Sequence, residues 1–416
     1  MVEVGSARTA AGAPRRPLAA KRETVAMEDL LQRLRELECG RRLLEAAAEI
    51  RGVYLVGGAV RDLLLGRMPS ELDVVVEGDV SRLAAALGDR ATVHERFGTA
   101  TVRDGDCRWD LASARSEDYA RPGALPDVRA AAISTDLRRR DVTVNAIALD
   151  LRSGELRAAE HALEDLASAR LRVLHDASFR DDPTRLWRIA RYGARLGFRL
   201  EPQTAKLAAE AVAASVAERV SGARIGRELR LALIEPDPVA AIERAVALGL
   251  APWLRADRER TAAALSLLPV GEGRADLVVL AAALDESADD ADQRLAGLDF
   301  TTAERAVLRA AARAPAIAAA AAATRRPSQL ARVLRAQPVE AVALAGASGA
   351  AEPVRRWLGE LRHVALRIDG DDLLAAGVAR GPQVGRAMAA TLERVLDGDL
   401  GDDRDAQLTA ALAVGE

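Results

Sequence analysis

The stretch Val53-Tyr-Leu-Val-Gly57-Gly58-Ala-Val-Arg61-Asp62-Leu-Leu-Leu-Gly66, with Ser70-Glu71-Leu72-Asp73-Val-Val-Val close behind, constrains the fold of this chain more than any other. The apolar run 53–56 predicts a buried strand, and the glycine pair breaks it sharply. Residues 61–65 then read as the first turns of a helix and 72–76 as a second strand. Glycines at a strand-to-helix turn let backbone N–H groups approach a phosphate closely, and the helix N-terminus adds positive potential. Glu71 and Asp73, two residues apart, point to one face of the second strand. That spacing suits two-metal chemistry over a triphosphate. A lone Gly-Gly is usually only a turn, and an acidic pair on a strand is usually a solvated edge. Their order and proximity make the combination more specific.

These residues resemble the head of the nucleotidyltransferase superfamily, specifically the tRNA nucleotidyltransferase and bacterial poly(A) polymerase family. Its members carry Gly-Gly-x-Val-Arg-Asp followed by Asp-x-Asp. The chain departs once, with Glu71 where the family has its first Asp. The resemblance implies that Gly57, Gly58 and Arg61 secure a triphosphate, and that Glu71 and Asp73 hold Mg²⁺.

Half of the 416 residues are hydrophobic and only 3% are aromatic, a balance that favours long helices packed through small side chains. The length exceeds one ordinary domain. A net charge of −3 makes no global case for nucleic acid, so an RNA-binding face must be a local basic patch. Cys39 and Cys107 make neither a disulfide framework nor a zinc site, and none of His94, His161, His175 and His363 are paired at metal-ligand spacing. No apolar run reaches membrane-spanning length, and residues 1–27 lack the apolar core of a signal peptide. The expectation is a soluble chain in the reducing cytoplasm, with no membrane and no disulfide-linked partner.

Residues 1–27 read as a disordered tail, and Glu28–Ile50 as one helix. A short helix over 81–87 and strands over 91–93, 100–102 and 108–112 follow. Pro122 to Pro126 has loop chemistry without periodicity, inside a loop read over 112–128. Asp110 is either a third carboxylate beside Glu71 and Asp73 or a strand-end cap. Spacing does not separate the two. The resemblance favours metal, because related heads place an acidic residue on the strand before a mobile loop.

Arg138-Arg139-Arg140-Asp141-Val142-Thr143-Val144-Asn145-Ala146 would ordinarily be a solvated face leading into a buried segment. It resembles the family's Arg-Arg-Asp-Phe-Thr-Ile-Asn-Ala motif, which implies that Arg140, Asp141 and Asn145 meet the ribose and triphosphate. Asp and Asn both supply acceptors for a 2′-hydroxyl. Residues 158–166 depart from the family, which has an Asp-Pro and a Gly-Gly turn before Asp-Leu; only Asp165-Leu166 survives. Asp182-Pro183 is a good helix start, and Arg185, Arg188 and Arg191 then recur every three residues in one basic sector. The segment resembles the family's Glu-Asp-x-x-Arg signature, in which Asp and Arg read the Watson–Crick edge of the incoming base. Those roles fall on Asp182 and Arg185, with Asp181 standing for the Glu. Arg224 to Leu229 resembles the last shared motif, a helix that buttresses the base-reading one.

Beyond about residue 240 the chain is helix after helix, closing with two helices joined by a glycine turn over 368–385. The start of the second, at Pro382, is either a phosphate site or plain packing. The architecture expected is α+β: a head with a small mixed sheet and helices over 28–170, a helical neck over 171–240, and a helical body and tail over 241–416 that binds tRNA. The resemblance implies addition of all or part of the 3′-terminal CCA to the tRNA 3′ end from CTP and ATP. A poly(A) polymerase is an alternative, disfavoured by the acidic run 397–405. A catalytically weakened RNA-binding paralogue is another, suggested by Glu71.

Overall fold

The computed structural model describes residues 27–88, 90–94 and 98–414. The tail expected over 1–27 lies, up to residue 26, outside the described residues, as does Phe97. The chain divides into two compact units, Met1–Ala114 with Ile147–Ala158, and Arg115–Ala146 with Ala159–Glu416. These limits cut the chain at other places than the expected head–neck boundary at 170.

Elements are numbered in chain order. The strands of the first unit are β1 (Val53–Val56), β2 (Leu72–Val76), β3 (Ala91–His94), β4 (Thr99–Asp104), β5 (Cys107–Ser113), β8 (Ile147–Asp150) and β9 (Leu156–Ala158). Among the described residues they form one seven-stranded sheet in the order β3-β4-β5-β2-β1-β8-β9. Only β2 and β5 run parallel; every other neighbouring pair is antiparallel. All of β1 is buried, which explains its uninterrupted apolar run, whereas β2 exposes Asp73 between buried Leu72 and Val74. The helices here are α1 (Met27–Glu36), α2 (Glu38–Ala47), α3 (Gly58–Leu64) and α4 (Ser81–Leu87). Just ahead of α4, Asp79 accepts from the Ser81 N–H at 3.0 Å and its hydroxyl at 2.9 Å.

Two expectations are corrected in this unit. The single helix over 28–50 is broken at Leu37, whose φ of −82° and ψ of 129° are extended. The leucine spacing carries through the break and hides it. Gly40 permits the break: a Cβ there would stand 2.1 Å from the Leu34 carbonyl oxygen, so glycine lets the end of α1 fold tightly onto α2. The second correction concerns the cysteines, which are bonded to each other. Helix α2 and strand β5 bring their Cα atoms to 5.3 Å, within the span of a disulfide. The fully buried Trp109 sits beside the bridge and donates from Nε1 to the Cys39 carbonyl at 3.0 Å. Arg42 lies 5.2 Å over the same ring and pairs with Asp104. The cysteines are 68 residues apart, so the sequence gives no local sign of the pairing. Closing so long a loop restricts the unfolded chain, and reduction should cost about 2–4 kcal/mol of stability. Urea unfolding of oxidised and reduced protein checks this; coincident curves would remove the bridge from the stability of the unit.

The second unit opens with a hairpin, β6 (Arg115–Asp118) and β7 (Asp127–Ala130), where the composition predicts a loop. Then come α5 (Ile133–Arg138), a 3₁₀ turn at Thr143–Asn145, α6 (Ala162–Ser168), and β10 (Arg170–Leu171), which pairs in parallel with β11 (Arg199–Leu200). Between those strands lie α7 (Ser178–Asp181) and α8 (Thr184–Leu196). They are followed by α9 (Pro202–Ala213), α10 (Gly222–Leu233) and α11 (Pro238–Ala247), and helices continue to Leu412. The main core packs Trp187, Leu229 and Ile242 against the Ala-rich helices at Ala275–Ala283 and Ala314–Ala322. A separate small core of Ile368, Leu373, Ala387 and Ala411 holds the two expected C-terminal helices, Gly370–Ala375 and Pro382–Leu396.

Candidate active site

In the first unit, β1 ends at a turn only glycine adopts readily: Gly57 has φ 69° and ψ −129°. Its N–H is anchored on the Ile147 carbonyl at 3.0 Å, and its carbonyl accepts the Arg61 N–H at 3.0 Å, which starts α3. Gly58 begins the helix, and Arg61 is buried beneath it at 2% exposure. Arg61 Nε donates to Asp62 at 2.9 Å.

Asp73 and Asp110 occupy directly paired positions on the parallel strands β2 and β5. In that register their side chains share a face, about 5 Å apart along the sheet. Asp110 accepts the Thr101 hydroxyl at 2.6 Å and pairs with Arg108 at 2.9 Å. Glu71 is exposed just ahead of β2. Among the described residues no three acidic, histidine or cysteine side chains are already gathered as a metal-ligand shell. The paired Asp73 and Asp110 nevertheless fit a divalent ion: two hard oxygen donors on one face of adjoining strands. Thr101 is not signalled in the sequence, since it reaches Asp110 only through the pairing of β4 with β5, whereas Arg108 stands two residues before Asp110 on the same face of β5.

In the second unit the residues expected at the nucleotide are held in three hydrogen-bonded clusters, around Asp136, Asp141 and Asp182. Asp136 on α5 is fully buried and takes Arg139 at 2.6 Å, Arg140 at 3.1 Å and the Arg115 N–H at 3.2 Å. Burial would raise this carboxyl, but Arg140 and Arg139 beside it hold it below the usual carboxylate range. Arg140 therefore serves a buried carboxylate, and Arg139 also reaches Glu117 of the hairpin at 2.7 Å.

Asp141, 4% exposed, is saturated. One oxygen accepts the Val142 N–H at 2.8 Å and Asn145 Nδ2 at 3.3 Å; the other accepts the Tyr192 hydroxyl at 2.8 Å and pairs with Arg188 at 2.6 Å. Burial pushes its pKa up, but Arg188 and the hydrogen bonds more than offset that and keep it low. The 3₁₀ turn carrying Asn145 is tied down by Thr143, whose hydroxyl donates to buried Asp165 at 2.8 Å. Asp165 also takes Arg172 at 2.8 Å, so the Asp-Leu left of the family's connection holds this turn.

Asp182 and Arg185 sit at the start of α8. All three hydrogen bonds to Asp182 end on Oδ1: the Thr184 N–H at 3.1 Å, its hydroxyl at 2.7 Å and Arg224 Nη2 at 2.8 Å. Arg224 also holds the Gly123 carbonyl of the hairpin loop at 2.9 Å. Arg185, 4% exposed, donates from Nη1 to Ser178 Oγ and from Nη2 to the Arg139 carbonyl, each at 2.7 Å. Nη1 also lies 3.5 Å from His175 Nε2, so the back of the guanidinium is anchored on three groups and Nη2 keeps a second hydrogen for a ligand. His175 beside it is held below its ordinary range, by burial and then by Arg185.

The three arginines of α8 do not form one solvated stripe. Arg191 is 7% exposed and braced between Glu228 at 2.6 Å and Glu235 at 3.0 Å, away from the residues above. The sequence reading missed Asp136, Tyr192 and the bridging role of Arg224. Tyr192 has a local signal, four residues beyond Arg188 on one helix face; Asp136 has none.

Comparison with known proteins bears directly on these features. Residues 53–172 match the poly A polymerase head domain. The A-adding tRNA nucleotidyltransferase of Geobacter sulfurreducens is 33% identical over 88% of this chain and 45% of its own length. The CC-adding tRNA nucleotidyltransferase of Deinococcus radiodurans is 38% identical over 80% of this chain and 82% of its own. The Thermotoga maritima CCA-adding enzyme complexed with tRNA superposes with a TM-score of 0.73 at 27% identity, covering 94% of this chain and 98% of that one. Against several A-adding relatives the chain spans only about half of their length or less. Among the described residues no helix is long and apolar enough to cross a membrane. With one relative matched over most of both lengths, the chain belongs to the tRNA nucleotidyltransferase family, built on the poly A polymerase head.

Proposed function

We propose that this protein adds all or part of the 3′-terminal CCA to tRNA from CTP and ATP without a nucleic-acid template. The observation that carries the reading is the arrangement of Asp182 and Arg185. Among the described residues the hydrogen bonds to Asp182 fall on Oδ1, and Arg185 is held by Ser178 and His175 at Nη1 and by one hydrogen of Nη2 on the Arg139 carbonyl. Oδ2 and the second hydrogen of Nη2 make one acceptor beside one donor. Cytosine and adenine both offer an amino donor next to a ring-nitrogen acceptor, so one such pair serves either base. Guanine presents the reverse pattern and is refused.

In the reaction the tRNA 3′-hydroxyl attacks the α-phosphate, the bond to the β,γ-diphosphate breaks, and pyrophosphate leaves. The N–H groups at the Gly57–Gly58 turn and the start of α3 bind the triphosphate. Asp73, Asp110 and Glu71 would hold Mg²⁺, and the ion would supply charge neutralisation at the triphosphate and acidify the attacking hydroxyl. Arg108 and Thr101 keep Asp110 in the orientation that its strand partner Asp73 requires. Asn145 serves the ribose, with Asp141 holding its amide. The substrate makes a cytoplasmic location the natural one.

The test offers tRNAs ending at the discriminator base, at C and at CC, with CTP and ATP given separately. The expected result is base- and end-dependent addition that stops once CCA is complete or at CC. No incorporation on any of the three, with tRNA binding intact, overturns the enzyme reading; a long A-tail on unstructured RNA would turn it into a poly(A) polymerase.

A further inference from the structure

We propose that Tyr192 is a positioning residue for ribose recognition: its hydroxyl fixes Asp141, and Asp141 in turn fixes the amide of Asn145. This rests on the nucleotide-transfer reading and assigns a residue that reading does not use.

The geometry is a relay inside the second unit. Arg188 donates to the Tyr192 oxygen from Nε at 3.2 Å and from Nη2 at 3.0 Å, which leaves the phenol hydrogen directed to Asp141 Oδ2 at 2.8 Å. Arg188 pairs with the same Oδ2 at 2.6 Å. With Val142 N–H and Asn145 Nδ2 on Oδ1, four donors fill the four acceptor directions of the carboxylate. Asp141 therefore has no lone pair to offer a 2′-hydroxyl. Its function passes to Asn145, whose amide it orients through Nδ2 and whose side-chain oxygen accepts from the ribose in the nucleotide complex.

Tyr192 is the element that makes this orientation unique. Arg188 is only partly buried and is long enough to pivot, whereas Tyr192 is 8% exposed on α8 with two side-chain torsions. Burial, partly opposed by Arg188, pushes the phenol up to about 12, so it remains a donor at any working pH. Without the hydroxyl, Oδ2 keeps a single mobile partner and the carboxylate is released to rotate. The Asn145 amide then loses its fixed direction. A purely structural tyrosine would leave ribose selection untouched, and that separates the two roles.

The experiment measures equilibrium binding of CTP and of its 2′-deoxy analogue to the full chain, for wild type, Tyr192→Phe, Asn145→Ala and the double variant, alongside urea unfolding. Wild type should prefer the ribonucleotide. Tyr192→Phe should lower that preference about tenfold, the worth of one hydrogen bond to a charged group. Asn145→Ala should lower it similarly, and the double variant no further, because both changes break one chain of contacts. If Tyr192→Phe does not fold, Arg188→Lys withdraws the Nε and Nη2 donors that direct the Tyr192 hydroxyl to Asp141 and should lower the preference in the same direction. Unchanged ribose preference in Tyr192→Phe, effects that multiply in the double variant, or a wild type blind to the 2′-hydroxyl each overturn the assignment. Binding is read without tRNA, so a failure of nucleotide transfer with ribose preference intact sinks the function and leaves Tyr192 standing.

Discussion

Asp73→Ala should reduce nucleotide incorporation by about a thousandfold or more while leaving the fold intact. The side chain is exposed on β2, between buried Leu72 and Val74, so its removal opens no cavity. What is lost is one of two carboxylates in direct register on neighbouring strands. A carboxylate that fixes a divalent ion at a triphosphate contributes several kcal/mol to the transition state, and about 4 kcal/mol is a thousandfold in rate. Glu71→Asp supplies the contrast. It shortens the side chain by one methylene and keeps the charge, so incorporation should hold or rise. Single-turnover CMP addition to tRNA reads both variants, with urea unfolding as the control. An active Asp73→Ala would mean that the acidic site lies elsewhere in the unit.

Much of this site is legible in the sequence because its parts are local. The strand, the Gly57 turn and the helix after it occupy consecutive residues, and the apolar run, the glycine and the following leucines each carry a known backbone preference. Asp182, Pro183 and the arginine after them are equally local, and the carboxylate starts α8 as its position predicts. The helical character after residue 240 follows from composition, since alanine and leucine dominate and few residues favour strands.

What the sequence hides is pairing at a distance. Asp110 and Asp73 meet only because β5 lies beside β2 in the sheet, and no spacing rule gives that order. The bridge between Cys39 and Cys107 spans 68 residues and depends on how α2 lies on β5. The hairpin over 115–130 was masked by its Gly and Pro residues, because its stability comes from charged contacts: Arg115 to Glu117 at 3.1 Å and Arg139 to Glu117 at 2.7 Å. The arginine run of α8 misleads in the opposite direction. Three-residue spacing reads as one solvated face, yet Arg185, Arg188 and Arg191 go to three different sets of partners. Periodicity reports which way a side chain leaves the helix, and the neighbouring elements decide whether that direction is water.

The largest effect on stability should come from Asp136→Asn, which keeps the shape of the side chain and removes its charge. The carboxylate is fully buried and receives Arg139, Arg140 and the Arg115 N–H. Its loss leaves two poorly exposed guanidinium groups facing a neutral amide, and breaking one side of such a buried cluster costs about 3–5 kcal/mol. The pH dependence fixes the cause. The folded carboxyl lies below its ordinary value, because Arg140 and Arg139 outweigh the opposing effect of burial. A depressed folded pKa gives stability that is fully present above the unfolded value of about 4 and is lost as pH falls through the folded one. Wild type and Asp136→Asn should therefore differ most near pH 7 and converge below about pH 4. Urea unfolding at pH 7 and at successively lower pH reads this; a constant gap would attribute the cost to packing and not to charge. Arg139 adds a functional consequence, since its carbonyl anchors Arg185 Nη2 at 2.7 Å. Loosening Arg139 should blur the choice between CTP and UTP at temperatures where the variant is still folded, because the base-reading guanidinium loses one of its back contacts. Competition of the two nucleotides for incorporation measures that choice, and unaltered selection in a destabilised Asp136→Asn would confine the residue to stability alone.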